Sequence, residues 1–100
     1  MIGTFLLLPK AQKEILEAWE WYEDQQLGLG DRFKEEVRNK IELILDNPLH
    51  YPLKGKFHES QTDNFPFLII YKVDKRNDQI LILSVFHTSR YPKRKYTKRK

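Results

Sequence analysis

One hundred residues with 40% hydrophobic and 13% aromatic content are enough for one modest core and too apolar for a disordered chain, so residues 1–100 are expected to form a single domain. The absence of cysteine excludes a disulfide framework and thiolate metal or redox chemistry, and points to a reducing, cytoplasmic setting. The net charge of +4 is uneven: seven basic residues and no acid lie between Arg90 and Lys100, leaving 11 basic and 14 acidic residues before them. A mildly acidic body thus carries a basic tail suited to an anionic partner.

Thr4 to Leu8 is an apolar run without helical period, followed by Pro9. It predicts a short strand and then a helix with proline near its first position. The run is too short for a signal or membrane segment.

From Lys10 to about Gln26, Ala11, Ile15, Ala18, Trp19 and Tyr22 recur on one stripe of a helix. Glu14, Glu17, Glu20, Glu23 and Asp24 fill the remaining surface and read as a solvated acidic face. Trp21-Tyr22 reads as core aromatic material rather than a base-stacking platform. Gly28-Leu29-Gly30 closes this helix, and Asp31 is placed to cap the next. There Phe33, Val37, Ile41, Ile44 and Leu45 form a second apolar stripe, which Asn47-Pro48 ends. The two helices are expected to run antiparallel with a shared apolar side facing a sheet.

Leu49 to Pro52 reads as an irregular connector, Lys54 to Glu59 as an edge strand and Ser60 to Asn64 as a polar turn. Two apolar runs then flank Asp74 to Asp78, forming a central hairpin, and Pro92 ends strand pairing. The expected fold class is α+β: an N-terminal strand, then a helical hairpin packed on one face of a small twisted antiparallel sheet, in the order β-α-α-β-β-β.

Along the first long strand, Leu68, Ile70 and Lys72 alternate with Phe67, Ile69, Tyr71 and Val73. The helices can cover one of these faces. The other is expected to stay open and, with the tail cations Arg90, Lys93, Arg94 and Lys95, to bind a partner.

The sequence contains no Gly-rich phosphate loop, His-Glu-x-x-His helix or paired-cysteine site, and His50, His58 and His87 are dispersed, so neither a cofactor nor a metal is expected. The helices are acidic, unlike a DNA-reading helix.

Five features lie in register along nearly the whole chain: Ala11 to Tyr22 with Trp21-Tyr22, Gly28-Leu29-Gly30 before Arg32-Phe33, Asn47-Pro48 before a tyrosine, Phe65-Pro66-Phe67 leading to Ile70-Tyr71, and Val85-Phe86-His87 running to Arg90 and Pro92. Together they resemble the RelE/ParE toxin family. The resemblance implies the toxin of a type II toxin-antitoxin pair, of the kind called plasmid stabilisation proteins, neutralised by an acidic, partly disordered antitoxin that folds over it. RelE-like members cut mRNA on the ribosome, whereas ParE-like members inhibit DNA gyrase without chemistry of their own.

RNA cleavage through the ribose 2′-hydroxyl needs a base, a cation on the phosphate and an acid. His87, Arg90 and Tyr96 are the candidates, with His58, Lys54 and Lys56 nearby. Yet the segment before the central strand, where cleaving members carry a basic residue, reads Glu59-Ser60-Gln61-Thr62-Asp63-Asn64. Its two acids repel phosphate. The sequence therefore favours a ParE-like toxin acting on gyrase, with a metal-independent mRNA endoribonuclease and an inactive partner-binding module as alternatives.

Overall fold

The computed structural model describes residues 3–88. Its elements are β1 (Thr4–Leu7), α1 (Pro9–Gln25), α2 (Leu29–Asp46), β2 (Leu53–Lys54), β3 (Phe57–Gln61), β4 (Phe67–Asp74) and β5 (Gln79–His87). The strands form one sheet in the order β1-β5-β4-β3-β2. β2 to β5 pair antiparallel, while β1 runs parallel to β5 in the register Thr4↔Gln79 to Leu7↔Ile82.

The α+β class and the strand-helix-helix-strand order are as the sequence predicts. Two details differ. The antiparallel sheet acquires a parallel edge strand, because the helical hairpin returns the chain to the far side of the sheet. The single edge strand expected over Lys54 to Glu59 is a tight hairpin instead, since Gly55 adopts φ 63 and turns the chain between β2 and β3.

Pro9 opens α1 as its fixed φ favours, and Asn47 ends α2 as the following proline requires. The turn between the helices is tighter than expected. Gly28 sits at φ 90 and α2 begins directly after it at Leu29, two residues before Asp31. Gly30 is consequently helical and lies against α1, where an added Cβ would stand 2.5 Å from the Trp19 carbonyl oxygen. Asp31 does not cap α2 through its side chain. That carboxylate accepts the Trp19 Nε1–H at 2.9 Å, and Glu23 of α1 reaches across to accept the amides of Gly28 at 3.0 Å and Asp31 at 3.2 Å. The anionic group stabilising the start of α2 is therefore borrowed from the preceding helix.

The core lies between the helical hairpin and one face of the sheet. Ala11 and Ala18 of α1, and Phe33, Val37, Ile41 and Ile44 of α2, pack with Phe67, Ile69, Tyr71, Ile80, Ile82 and Val85. Each fully buried Ile or Phe side chain contributes about 1.5–3 kcal/mol. Tyr22, Phe33, Phe65 and Phe67 form an aromatic group with centroid separations from 4.8 to 6.3 Å, largely edge-to-face. Of the Trp21-Tyr22 pair, Tyr22 supplies the core and Trp21 is 48% exposed, its ring 5.2 Å from that of Tyr22.

A β-bulge interrupts the central hairpin. Ile70 pairs with Ser84 and Tyr71 with Ile82, leaving Leu83 as the extra residue of β5. The insertion resets the alternation, so Ile80 and Ile82 before it and Val85 after it all enter the core. Among the described residues no helix is long and apolar enough to cross a membrane.

Candidate partner-binding surfaces

Leu68, Ile70 and Lys72 share the reverse face of β4, as their alternation predicts, but they are unequally available. Lys72 is exposed and Leu68 half-buried, whereas Ile70 is 2% exposed. Phe86, paired with Leu68 on the same face, is also buried. The open apolar face expected there is thus closed at its centre. Toward β1 it stays partly accessible, with Leu6 exposed and Leu81 half-buried.

His87 does not join these residues. It pairs with Phe67 at the end of β4, and cross-strand neighbours share a face, which places its ring on the helix side. There it meets the Phe67 ring edge-on at 4.9 Å. Arg90, Lys93, Arg94, Lys95 and Tyr96 lie outside the described residues.

His58 is also on the helix side, toward the opposite end. Its ring stacks on Tyr71 at 5.0 Å, and its Nδ1 lies 2.9 Å from the Tyr51 carbonyl oxygen. The Tyr71 hydroxyl donates to the Pro48 carbonyl. Burial, aided by the neighbouring Tyr51, pushes the Tyr71 hydroxyl well above its usual pKa. This group fastens the α2–β2 connector to the sheet, and Lys54 and Lys56 point to solvent beside it.

Glu14, on the face of α1 that reads as solvated, and Glu36 of α2 are fasteners as well. Glu14 accepts the Ser84 hydroxyl at 2.7 Å and the Val85 amide at 2.9 Å, tying α1 to β5 just past the bulge. Glu36 of α2 accepts the Asn64 amide at 2.6 Å, the Asn64 side-chain Nδ2 at 3.0 Å and the Phe65 amide at 3.1 Å. Asp63 pairs with Lys40 at 3.4 Å. The acidic segment before β4 is thereby drawn onto α2.

A further accommodating surface lies among the described residues, one that the sequence does not predict. α2 presents a broad apolar stripe and the sheet ends at β1, so a groove of about 790 Å³ opens between them. Phe5 and Leu7 of β1, Ile15 of α1 and Val37, Ile41 and Leu45 of α2 line it, with Lys34, Glu35, Arg38 and Glu42 on the rim. A second hollow of about 210 Å³ shares Leu7, Ile15 and Lys34 and extends the groove past Leu16 and Trp19. The outer edge of β1 bears no charge and no bulge, leaving backbone donors and acceptors beside the groove. In the sequence the signal was Leu45, which widens the α2 stripe beyond what one sheet edge can cover.

Among the described residues no group of three or more His, Asp or Glu side chains could hold a metal ion. The described surfaces are an apolar groove with a mixed-charge rim, a partly closed reverse face, and histidines whose rings meet aromatic neighbours.

The family model for the ParE toxin of the type II toxin-antitoxin system parDE matches residues 5–92. The chain belongs to the ParE toxin family. Among solved structures, this ParE-family chain is similar to one of the chromosomal ParDE toxin-antitoxin system from P. aeruginosa, with a TM-score of 0.72 and 11% identity over 86% of this chain and 96% of that one. It is also similar to a chain of the intact RelBE toxin-antitoxin complex of E. coli, with a TM-score of 0.67 and 19% identity over 88% and 100% of the two chains. At these identities the likeness is one of fold. Among curated proteins no sequence matches significantly.

Proposed function

We propose that this ParE-family toxin acts in the cytoplasm by binding and inhibiting DNA gyrase rather than by cutting RNA, and that an acidic, partly disordered antitoxin neutralises it. The carrying observation is the position of His87. Its ring packs edge-on against Phe67 on the helix side of the sheet, and Leu68, Ile70 and Lys72 occupy the reverse side. A base for the ribose 2′-hydroxyl has to face the same space as the cation that holds the phosphate. The segment before β4 also offers that space acids rather than cations, with Asp63 neutralised by Lys40 and Glu59 buried.

The antitoxin reading is supported by the groove. A segment that folds on binding can lay an apolar face over Phe5, Leu7 and Leu45 while its acids meet Lys34 and Arg38. Leu68, Lys72 and the tail cations Arg90, Lys93, Arg94 and Lys95 remain for the target.

An in vitro translation reaction with an mRNA cleavage readout tests the mechanism. No cuts are expected with the native protein. Cuts that disappear in His87→Ala would instead establish His87, Arg90 and Tyr96 as a nuclease centre.

A further inference from the structure

Both hairpins that point away from the β3–β4 loop end at the same edge of the molecule. His58 pairs with Tyr71, so the β2–β3 turn at Gly55 lies beside the end of β4, where the β4–β5 turn begins. Adjacent strands are about 4.8 Å apart, which separates the centres of the two tips by about 10 Å. Lys54 and Lys56 flank one tip, and Lys72, Lys75 and Arg76 lie at the other. All five are exposed, and among the described residues none forms an ion pair. The acids within the tips are Asp74 and Asp78. The Asp74 carboxylate accepts the Asn77 Nδ2 at 2.8 Å and the Asn77 amide at 3.4 Å, which holds it inside the turn.

We infer that these two hairpin tips form a docking surface for the phosphate backbone of duplex DNA. Three properties of the patch choose this occupant. Protein interfaces are anchored by aromatic, Met and Arg side chains and are depleted of lysine. Four of the five cations here are lysines, and Leu53 is the exposed large apolar residue beside them. Single strands are held by stacking on exposed aromatic rings, and no aromatic residue at either tip is exposed. Duplex phosphates need only point charges spread over a few nucleotides, which this arrangement supplies without reading sequence. The choice of DNA over RNA rests on the proposal that gyrase is the target, since gyrase works on duplex DNA. The basic patch does not depend on it.

The test is binding of the full chain to a fluorescent 20-base-pair DNA duplex of arbitrary sequence, measured by anisotropy across a salt series without gyrase. Each phosphate contact contributes about 0.9 to the slope of log affinity against log salt. The combined variant Lys54→Gln, Lys56→Gln, Lys72→Gln, Lys75→Gln and Arg76→Gln should flatten that slope by about 4.5, with the tail common to both proteins. The variant altered only at Lys54 and Lys56 should lose about 2. Unchanged melting temperatures would show that both variants fold. An unchanged slope in the folded five-site variant overturns the inference, as does a loss seen only with duplex RNA or with polyglutamate as the probe. Gyrase inhibition, assayed separately, can fail while the DNA slope still responds, which would remove the target and leave the docking surface standing.

Discussion

Glu14 and Val85 are 71 residues apart, yet the Glu14 carboxylate accepts the Val85 amide proton at 2.9 Å and the Ser84 hydroxyl at 2.7 Å. β1 pairs with β5 only as far as Ile82. Beyond it β5 has no strand on that side among the described residues, and α1 lies over the gap. The carboxylate takes the place of a missing strand partner. Lys10 completes the arrangement, its ammonium 3.0 Å from Glu14 and 3.2 Å from the Ser84 hydroxyl.

Replacing Glu14 with Ala leaves the Val85 amide without its acceptor in a part-buried site. The expected loss is about 1–3 kcal/mol of unfolding free energy, read from urea denaturation, together with faster hydrogen exchange at Val85. Full stability with unchanged exchange would show that water serves the amide equally well.

The helical turn makes a second prediction. Gly30→Ala places a methyl 2.5 Å from the Trp19 carbonyl oxygen and 2.8 Å from the Trp19 ring, so α1 and α2 must separate. An overpacking cost of about 1–3 kcal/mol is expected. Gly28→Ala meets open space and carries only the strain of φ 90, about 1–2 kcal/mol. Thermal melts of the two variants should differ in one further respect: a shift in the near-ultraviolet signal of Trp19 for Gly30→Ala alone.

Tyr71 should make stability sensitive to alkaline pH. Its folded pKa is raised above the ordinary 10.0 because burial disfavours the phenolate. The unfolded chain releases this proton first, so the contribution is fully present below about pH 10 and is lost as pH rises toward the folded value. Stability should fall steeply above pH 10. Tyr71→Phe should be less stable at pH 7, having lost the bond to the Pro48 carbonyl, and should show a shallower alkaline decline. Parallel alkaline slopes in the two proteins would locate the effect elsewhere.

At the groove, Phe5 is 39% exposed and stands on an edge strand, so a charge there can be solvated when the protein is alone. Phe5→Glu should leave the melting temperature within a few degrees of native while weakening antitoxin binding by about tenfold or more, a loss of about 1.4 kcal/mol or greater. Titration calorimetry with the antitoxin reads this directly. Native affinity in Phe5→Glu would move the antitoxin to another face.

Much of the fold was legible because apolar spacing decides which residues are inside. The stripes Ala11, Ile15, Ala18, Tyr22 and Phe33, Val37, Ile41, Ile44 pack as their periodicity requires, and the alternation along β4 assigns its two faces correctly. What spacing does not record is the partner of a polar side chain. Glu14 and Glu23 sit on positions that read as solvent-facing, yet Glu14 receives an amide at the β5 bulge and Glu23 two amides at the turn between the helices, as Glu36 does from the β3–β4 loop. The extra residue Leu83 was hidden for a related reason: a run as uniformly apolar as Ile80 to Leu83 fits either register.

The site was less legible than the fold. Leu68, Ile70 and Lys72 share a face as predicted, but the burial of Ile70 and Phe86 depends on packing beyond their own strands. His87 reads from the sequence as a catalytic candidate with Arg90 and Tyr96; pairing with Phe67 places it on the helix side, and the other two lie outside the described residues. The groove appears only once β1 is placed at the sheet edge, a consequence of topology.

The most direct test of the account is DNA supercoiling by purified gyrase with increasing amounts of this protein, followed by addition of the antitoxin. Inhibition that titrates with the protein and is relieved by equimolar antitoxin is the predicted result. Gyrase that works undisturbed at excess protein, while a translation reaction given the same preparation accumulates cut mRNA, would contradict it.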